Sequence, residues 1–214
     1  KQGITLQIVE FQDYVQPNLA LAQGELDANY FQHIPYLNQF SKDHQLDLTY
    51  IAKVHIEPIG VYSNKIKSLD QLPEKALVAI PNDPTNGGRA LLLLQRAKLI
   101  ELRSGVGLTA TELDIAKNPK GLQFKPLEAA ELPRALPDVD IAVINTNYAL
   151  SANLNPTKDA LFIEDSQSPY VNVLAVRTKD KNKAALKKLA TALTSKTVKD
   201  YIVNTYQGSI VPAF

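Results

Sequence analysis

Arg89 lies where a turn-rich loop, residues 82–88 with Asn82, Asp83, Pro84, Asn86, Gly87 and Gly88, meets helix formers with apolar residues at helical spacing up to Ile100. The handover from loop to helix is expected near Asn86. Unpaired backbone N–H groups at a helix start favour an anion, and glycines let a ligand approach them closely. A cation in a first helical turn is opposed by the helix dipole, so something negative belongs beside Arg89. A small carboxylate held by the guanidinium fork and the first-turn N–H groups resolves the conflict, and an ion pair with an acid such as Asp83 resolves it equally well. Phosphate fits less well. The loop has neither the Gly-Lys-Ser/Thr ending of a P-loop nor a G-x-G-x-x-G run.

Three further polar and aromatic clusters stand out. Tyr30, Phe31 and His33, with Tyr36 nearby, place rings and an imidazole at a strand end, where they can wall a pocket for an apolar or thioether side chain. A core contact suits Tyr36 better, because it lies four residues before Phe40 on a helix. His55 and Glu57, with Tyr62, form the second cluster: strand alternation puts the first two on one face, to bind an ammonium or a metal or to satisfy each other. The third is Asn145-Thr146-Asn147, directly after a buried strand. An asparagine there supplies both donor and acceptor to a zwitterion, or caps a helix. Asn172, inside an apolar strand, needs a partner if buried, and a ligand or a neighbouring backbone group would serve.

The elements that must position these residues alternate between strand and helix. Strands are expected at 5–11, 26–30, 48–54 running on in extended form to 63, 76–80, 122–127, 140–144, 161–163 and 170–177. Helices are expected at 16–23, 35–44, 89–100, 111–117, 128–136, 183–193 and 196–206. This pattern is that of an α/β protein with mostly parallel sheets. Two long extended segments, 49–63 and 170–177, bracket a middle unit, which predicts two lobes joined by two crossing strands. The expected division is 1–65 with 164–214 as lobe one and 66–163 as lobe two, with a ligand cleft where the turns after 26–30, 76–80 and 140–144 converge.

Composition narrows the classes. The 214 residues carry 23 basic and 22 acidic side chains, a net charge of +1, and no basic face that suits nucleic acid. No run approaches the roughly 18 apolar residues that cross a bilayer. Cysteine is absent, which excludes disulfides, thiolate metal sites and cysteine nucleophiles within these residues. No G-x-S-x-G or H-E-x-x-H appears, and His33, His44 and His55 are too far apart for a helical ligand pair, so neither an enzyme, a cofactor nor a metal site is expected. The chain opens at Lys1-Gln2-Gly3 without a signal peptide or starting Met, as a mature or trimmed product does.

Six motifs, in order, carry a resemblance over essentially the whole chain: Tyr-Phe-Gln-His-x-Pro-Tyr-Leu at 30–37, His-x-Glu-Pro-x-Gly-x-Tyr-Ser at 55–63, Ile-Pro-Asn-Asp-x-x-Asn-x-x-Arg-Ala-Leu at 80–91, Asn-Thr-Asn-Tyr-Ala at 145–149, Ser-Pro-Tyr-Val-Asn at 168–172, and the closing Val-Pro-Ala-Phe. The sequence resembles the methionine-binding lipoproteins of bacterial ABC importers. The resemblance implies a two-lobed type II periplasmic-binding-protein fold with mixed sheets flanked by helices. It implies capture of L-methionine, or of a methionine-containing dipeptide, and delivery to an ABC permease in the cytoplasmic membrane. It also implies a monomer held at the outer face of that membrane, or in the periplasm, by a lipid on a Cys outside this segment. Family members are expected to begin with a further strand and helix before the part matching Gly3 to Phe11. Carried over by motif, Arg89 holds the ligand carboxylate with support from Asn86, Asn145 and Asn172 fix the amino and carboxylate groups, and Tyr30, Phe31, His33, His55 and Tyr62 wall the side chain. The rival classes are a metal-binding importer subunit and the effector domain of a transcriptional regulator.

Overall fold

The computed structural model describes residues 3–165 and 167–214, so Lys1 and Gln2 at the opening of the sequence lie outside the described residues. It separates into two compact units, Lys1–Glu57 with Gln167–Phe214, and Pro58–Ser166. The chain therefore changes unit at Pro58, earlier than the expected boundary at 65, because the extended segment does not stay in one sheet.

In the first unit, helix α1 spans Gln16–Gln23 and is followed by strand β1 (Asn29–His33), helix α2 (Ile34–Asp43) and strand β2 (Leu48–Ile56). Asp13 Oδ1 accepts the N–H groups of Val15 at 2.7 Å and Gln16 at 2.8 Å ahead of α1. Gly24, at φ 90°, ends α1 by donating to the carbonyls of Ala20 and Leu21, a left-handed C-cap that glycine adopts without strain. Pro35 sits in the first turn of α2, where its missing N–H costs nothing. The expected strand at 5–11 is not formed. Leu6, Ile8 and Val9 are exposed there, and no described residue offers that segment a backbone ladder, which alternation cannot replace.

The second unit contains β3 (Gly60–Tyr62), β4 (Leu77–Pro81), α3 (Pro84–Arg96), β5 (Glu101–Leu102), β6 (Ile115–Lys117), β7 (Gln123–Leu127), α4 (Leu132–Ala135), β8 (Ile141–Ile144), α5 (Thr146–Ser151), α6 (Pro156–Asp159) and β9 (Phe162–Ile163). Its sheet runs β7-β4-β8-β3-β9 and is mixed: β4 is parallel to β7 and β8, while β3 is antiparallel to β8 and β9. Val78, Ile80, Leu91, Leu94, Ile141 and Val143 form the centre of its core. The helix expected at 111–117 is instead one 3₁₀ turn, Glu112–Asp114, followed by β6. A reciprocal cap between Thr111 and Asp114 closes that turn, and Ile115 then pairs with Leu102 on β5.

Returning to the first unit, the chain adds β10 (Val171–Arg177), α7 (Ala184–Leu193), α8 (Lys196–Tyr206) and β11 (Val211–Pro212). The sheet order is β1-β10-β2-β11, and every pairing is antiparallel, which corrects the expectation of mostly parallel strands for this unit. Leu21, Leu37, Val173 and Ala175 form one cluster of its core. Arg177 at the end of β10 donates to the carbonyls of Leu21 and Leu26 and pairs with Asp180 at 2.6 Å, so a cation meets the carbonyl end of α1.

Gly88 marks the tightest helix contact in the second unit. A Cβ there would fall 2.3 Å from the Leu108 carbonyl oxygen and 2.8 Å from the Ala110 nitrogen, both backbone atoms. Gly88→Ala in an open helix would gain up to about 1 kcal/mol of helix propensity. Overpacking against backbone costs about 1–3 kcal/mol and should win. Urea denaturation of G88A is therefore expected to show lower stability, and a gain would mean that the 108–110 segment yields freely.

Candidate functional site

In the second unit α3 starts at Pro84, so Arg89 lies in its second turn rather than its first. Asp83 is the N-cap. Its Oδ1 accepts the Asn86 N–H at 2.9 Å and its own carbonyl accepts the Gly87 N–H at 2.8 Å, so the helix start is occupied by its cap. Gly87 and Gly88 lie in close backbone packing, against Pro81 and against Leu108 with Ala110.

Arg89 is only 3% exposed, and it meets a carboxylate of this chain. Its Nε donates to Glu164 Oε1 at 3.1 Å and its Nη2 to Oε2, a side-on fork with Glu164 itself 8% exposed. The nearby negative charge is thus Glu164, held just beyond β9 by its own N–H donating to the Ile59 carbonyl at 2.9 Å. Glu164 was missed from the sequence. The available signal was an acid directly after the apolar run Leu161-Phe162-Ile163.

Asn145 occupies the N-cap position of α5, yet its side chain does not cap. Its Nδ2 donates to Asn86 Oδ1 at 2.8 Å, and Asn86 Nδ2 donates in turn to Asp83 Oδ2 at 2.9 Å. A carboxylate only accepts, so Asp83 dictates which end of the Asn86 amide faces it, and Asn86 dictates the end of Asn145. Asn145 is left presenting Oδ1, buried and with no hydrogen-bond partner among the described residues. A buried acceptor without a donor is costly.

The structure divides the second sequence cluster. Tyr62 lies on β3 of the second unit, its ring folded over Gly60, where a Cβ would come within 2.9 Å of the ring. Its hydroxyl is buried without a partner among the described residues. Burial, then the Asp159 charge, raises its pKa above the ordinary tyrosine range.

His55 and Glu57 stay in the first unit. His55 Nε2 lies 2.7 Å from Glu57 Oε1, Tyr30 Oη contacts His55 Nδ1, and Asn172 Nδ2 lies 3.0 Å from His55 Nε2. The sheet makes this possible, because Asn172 on β10 is in register with His55 on β2 and His33 on β1. Burial, then Glu57, then Tyr206, push the Tyr30 hydroxyl's pKa up, so it keeps its proton.

Phe31 and His33 belong to a neighbouring aromatic group. Phe31 sits at the register shift between Tyr30 and Gln32, half-buried, with its ring 6.0 Å from Tyr14 and 6.2 Å from Tyr36. His33 Nδ1 accepts the Tyr36 N–H at 3.1 Å and so caps α2, while its ring packs edge-on against Tyr170 at 5.0 Å. Tyr36 is buried and donates to the Tyr14 carbonyl at 2.9 Å, as a core aromatic does. No group of three or more His, Cys, Asp or Glu among the described residues is placed to hold a metal.

Comparison with known proteins agrees along the whole length. The profile of the family described as NlpA lipoprotein matches residues 1–214. The D-methionine-binding lipoprotein MetQ of Salmonella typhimurium is 49% identical over 213 residues, covering 99% of this chain and 79% of that protein. A nutrient binding protein from Burkholderia cenocepacia, solved bound to methionine, is 53% identical with a TM-score of 0.97, covering 100% of this chain and 90% of that one. An ABC transporter periplasmic substrate-binding protein from Coxiella burnetii is 47% identical, with a TM-score of 0.95 over 99% of this chain and 89% of its own.

Glu164→Ala removes the carboxylate from a buried guanidinium without shortening Arg89. Breaking a buried pair in this way costs about 3–5 kcal/mol. Urea denaturation is the measurement, and a loss below about 1 kcal/mol, the value of a solvated surface pair, would contradict the buried geometry.

Proposed function

The chain belongs to the NlpA lipoprotein family, and from that premise we propose that it is the solute-binding component of a bacterial ABC importer, that its ligand is free methionine, and that it makes or breaks no bond in that ligand. The observation that carries the reading is that one unit holds both a buried guanidinium, Arg89, and a buried acceptor without a partner among the described residues, Asn145 Oδ1. An α-amino acid at neutral pH presents one carboxylate and one ammonium on adjacent atoms. A guanidinium suits the first and a lone amide oxygen the second.

Arg89 takes the ligand carboxylate. Glu164 accepts two of the five guanidinium N–H donors and holds the plane in place before the ligand arrives. Asn86 supports Arg89 and Asn145, and Asn172 is a further amide that fixes the ligand's polar groups. Tyr30, Phe31, His33, His55 and Tyr62 wall the thioether side chain, a lining consistent with the preference of sulfur for aromatic edges.

The protein works as a monomer, tethered to the outer face of the cytoplasmic membrane by a lipid on a cysteine outside these 214 residues. It passes its ligand to an ABC permease. No helix among the described residues is long and apolar enough to cross a membrane. Curated relatives are named for D-methionine, so both enantiomers are ligands to test, with L-methionine the expected one.

Titration calorimetry with L-methionine, D-methionine and a methionine dipeptide tests the reading. Arg89→Lys keeps a positive charge beside Glu164 but loses the fork, and it is expected to weaken methionine binding at least about tenfold, in line with a charge-assisted contact of about 1.5–3 kcal/mol. Arg96→Lys, at an exposed pair with Asp165, is the control and should change little. Unchanged affinity in R89K sinks the carboxylate assignment. Tighter binding of the dipeptide keeps the class and moves the specificity.

A further inference from the structure

We propose that Glu57 is a positioning residue: it keeps a proton on His55 Nε2, and through that proton it decides which end of the Asn172 amide is presented to the ligand. The effect on the ligand rests on the solute-binding reading; the proton on His55 does not.

Three contacts converge on one imidazole. Tyr30 Oη meets Nδ1, while Glu57 Oε1 at 2.7 Å and Asn172 Nδ2 at 3.0 Å both meet Nε2. The Nε2 position offers one hydrogen or one lone pair, never both. An ionised Glu57 only accepts, so it requires Nε2–H. Tyr30 retains its proton and finds in Nδ1 the acceptor that this tautomer provides. Were His55 instead to carry its proton on Nδ1 alone, Glu57 would face a lone pair and Tyr30 would lose its acceptor.

With hydrogen on Nε2, an amide NH₂ beside it sets two donors face to face. The nitrogen and oxygen of an amide differ little in shape, so the network assigns them. Asn172 therefore turns Oδ1 to share the Nε2–H with Glu57 and points Nδ2, with both of its hydrogens, the other way. That orientation makes Asn172 a donor, matched to a carboxylate. Asn145, oriented through Asn86 by Asp83, is the complementary acceptor. In each unit a carboxylate behind one intermediary sets the polarity of an asparagine, and the two settings are opposite.

Two readouts test this. Ring-nitrogen chemical shifts of isotope-labelled, ligand-free protein at neutral pH report the protonation of each histidine, with the His55 signals identified by their loss in His55→Asn. The expected result is a protonated Nε2 on His55, and a bare Nε2 overturns the proposal. Glu57→Leu removes the acceptor and is expected to move the proton toward Nδ1, whereas Glu57→Gln, which still offers an amide oxygen, restores Nε2–H.

In calorimetry the same Leu variant should lose about tenfold in the preference for methionine over methioninamide, whose uncharged amide suits either end of Asn172, and the Gln variant should recover it. A purely structural role for Glu57 would weaken both ligands alike and leave the ratio unchanged, which overturns the proposal. The nitrogen measurement needs no ligand. Failure of the solute-binding reading shows separately, as no heat from methionine with the unsubstituted protein.

Discussion

Glu164 and Arg89 are both almost entirely withdrawn from water, and ionised groups so placed persist only when each meets the other in good geometry. That requirement ties the second turn of α3 to the end of β9. It also holds the guanidinium in one plane, so a ligand carboxylate would meet donors that are already oriented and need little rearrangement. The pair is neutral overall. An isolated buried Arg89 would favour any anion, whereas a compensated one favours a partner that brings both charges.

The asparagines extend the same logic. A buried amide has a donor end and an acceptor end of nearly equal size, and packing alone does not choose between them. Asp83 chooses for Asn86 and thereby for Asn145, through bonds of 2.9 and 2.8 Å. Carboxylates suit this task because they accept and never donate while ionised, so each link in the relay has one allowed direction. Buried amides used in this way supply specificity more than stability. The Oδ1 of Asn145, buried without a donor among the described residues, is a cost to stability.

Other polar clusters in the first unit hold the scaffold. Asn18, Asn29 and Gln32 bond to one another at 2.6–3.0 Å, all buried, beside the register shift at Phe31. His33 caps α2 through Nδ1. Residues of one sequence motif thus divide their work: in Tyr30-Phe31-Gln32-His33, the tyrosine joins the His55 network, the glutamine locks the strand, and the histidine caps the helix. Alternation along a strand and a local register shift send neighbours to different faces.

Local structure was largely legible, because its causes are local. Helix α1 follows from Asp13 ahead of it, a proline in its first turn and Gly24 at its end, and α2 from a proline in its first turn; β8 follows from an unbroken apolar run. Arg89 stood out as a cation at a helix start, Asn145 as an amide directly after a buried strand and Asn172 as an amide inside an apolar one, and the whole-chain resemblance named their family. What the sequence did not determine depends on partners distant along the chain. Residues 5–11 have a strand's alternation but no ladder among the described residues, and 111–117 became a turn and a strand because Leu102 pairs with Ile115. Glu164 lies 75 residues from the arginine it neutralises, so no spacing pattern reveals it. Which face each asparagine presents is likewise tertiary: an amide's direction is set by the proton or lone pair opposite it, and folding alone decides what stands there.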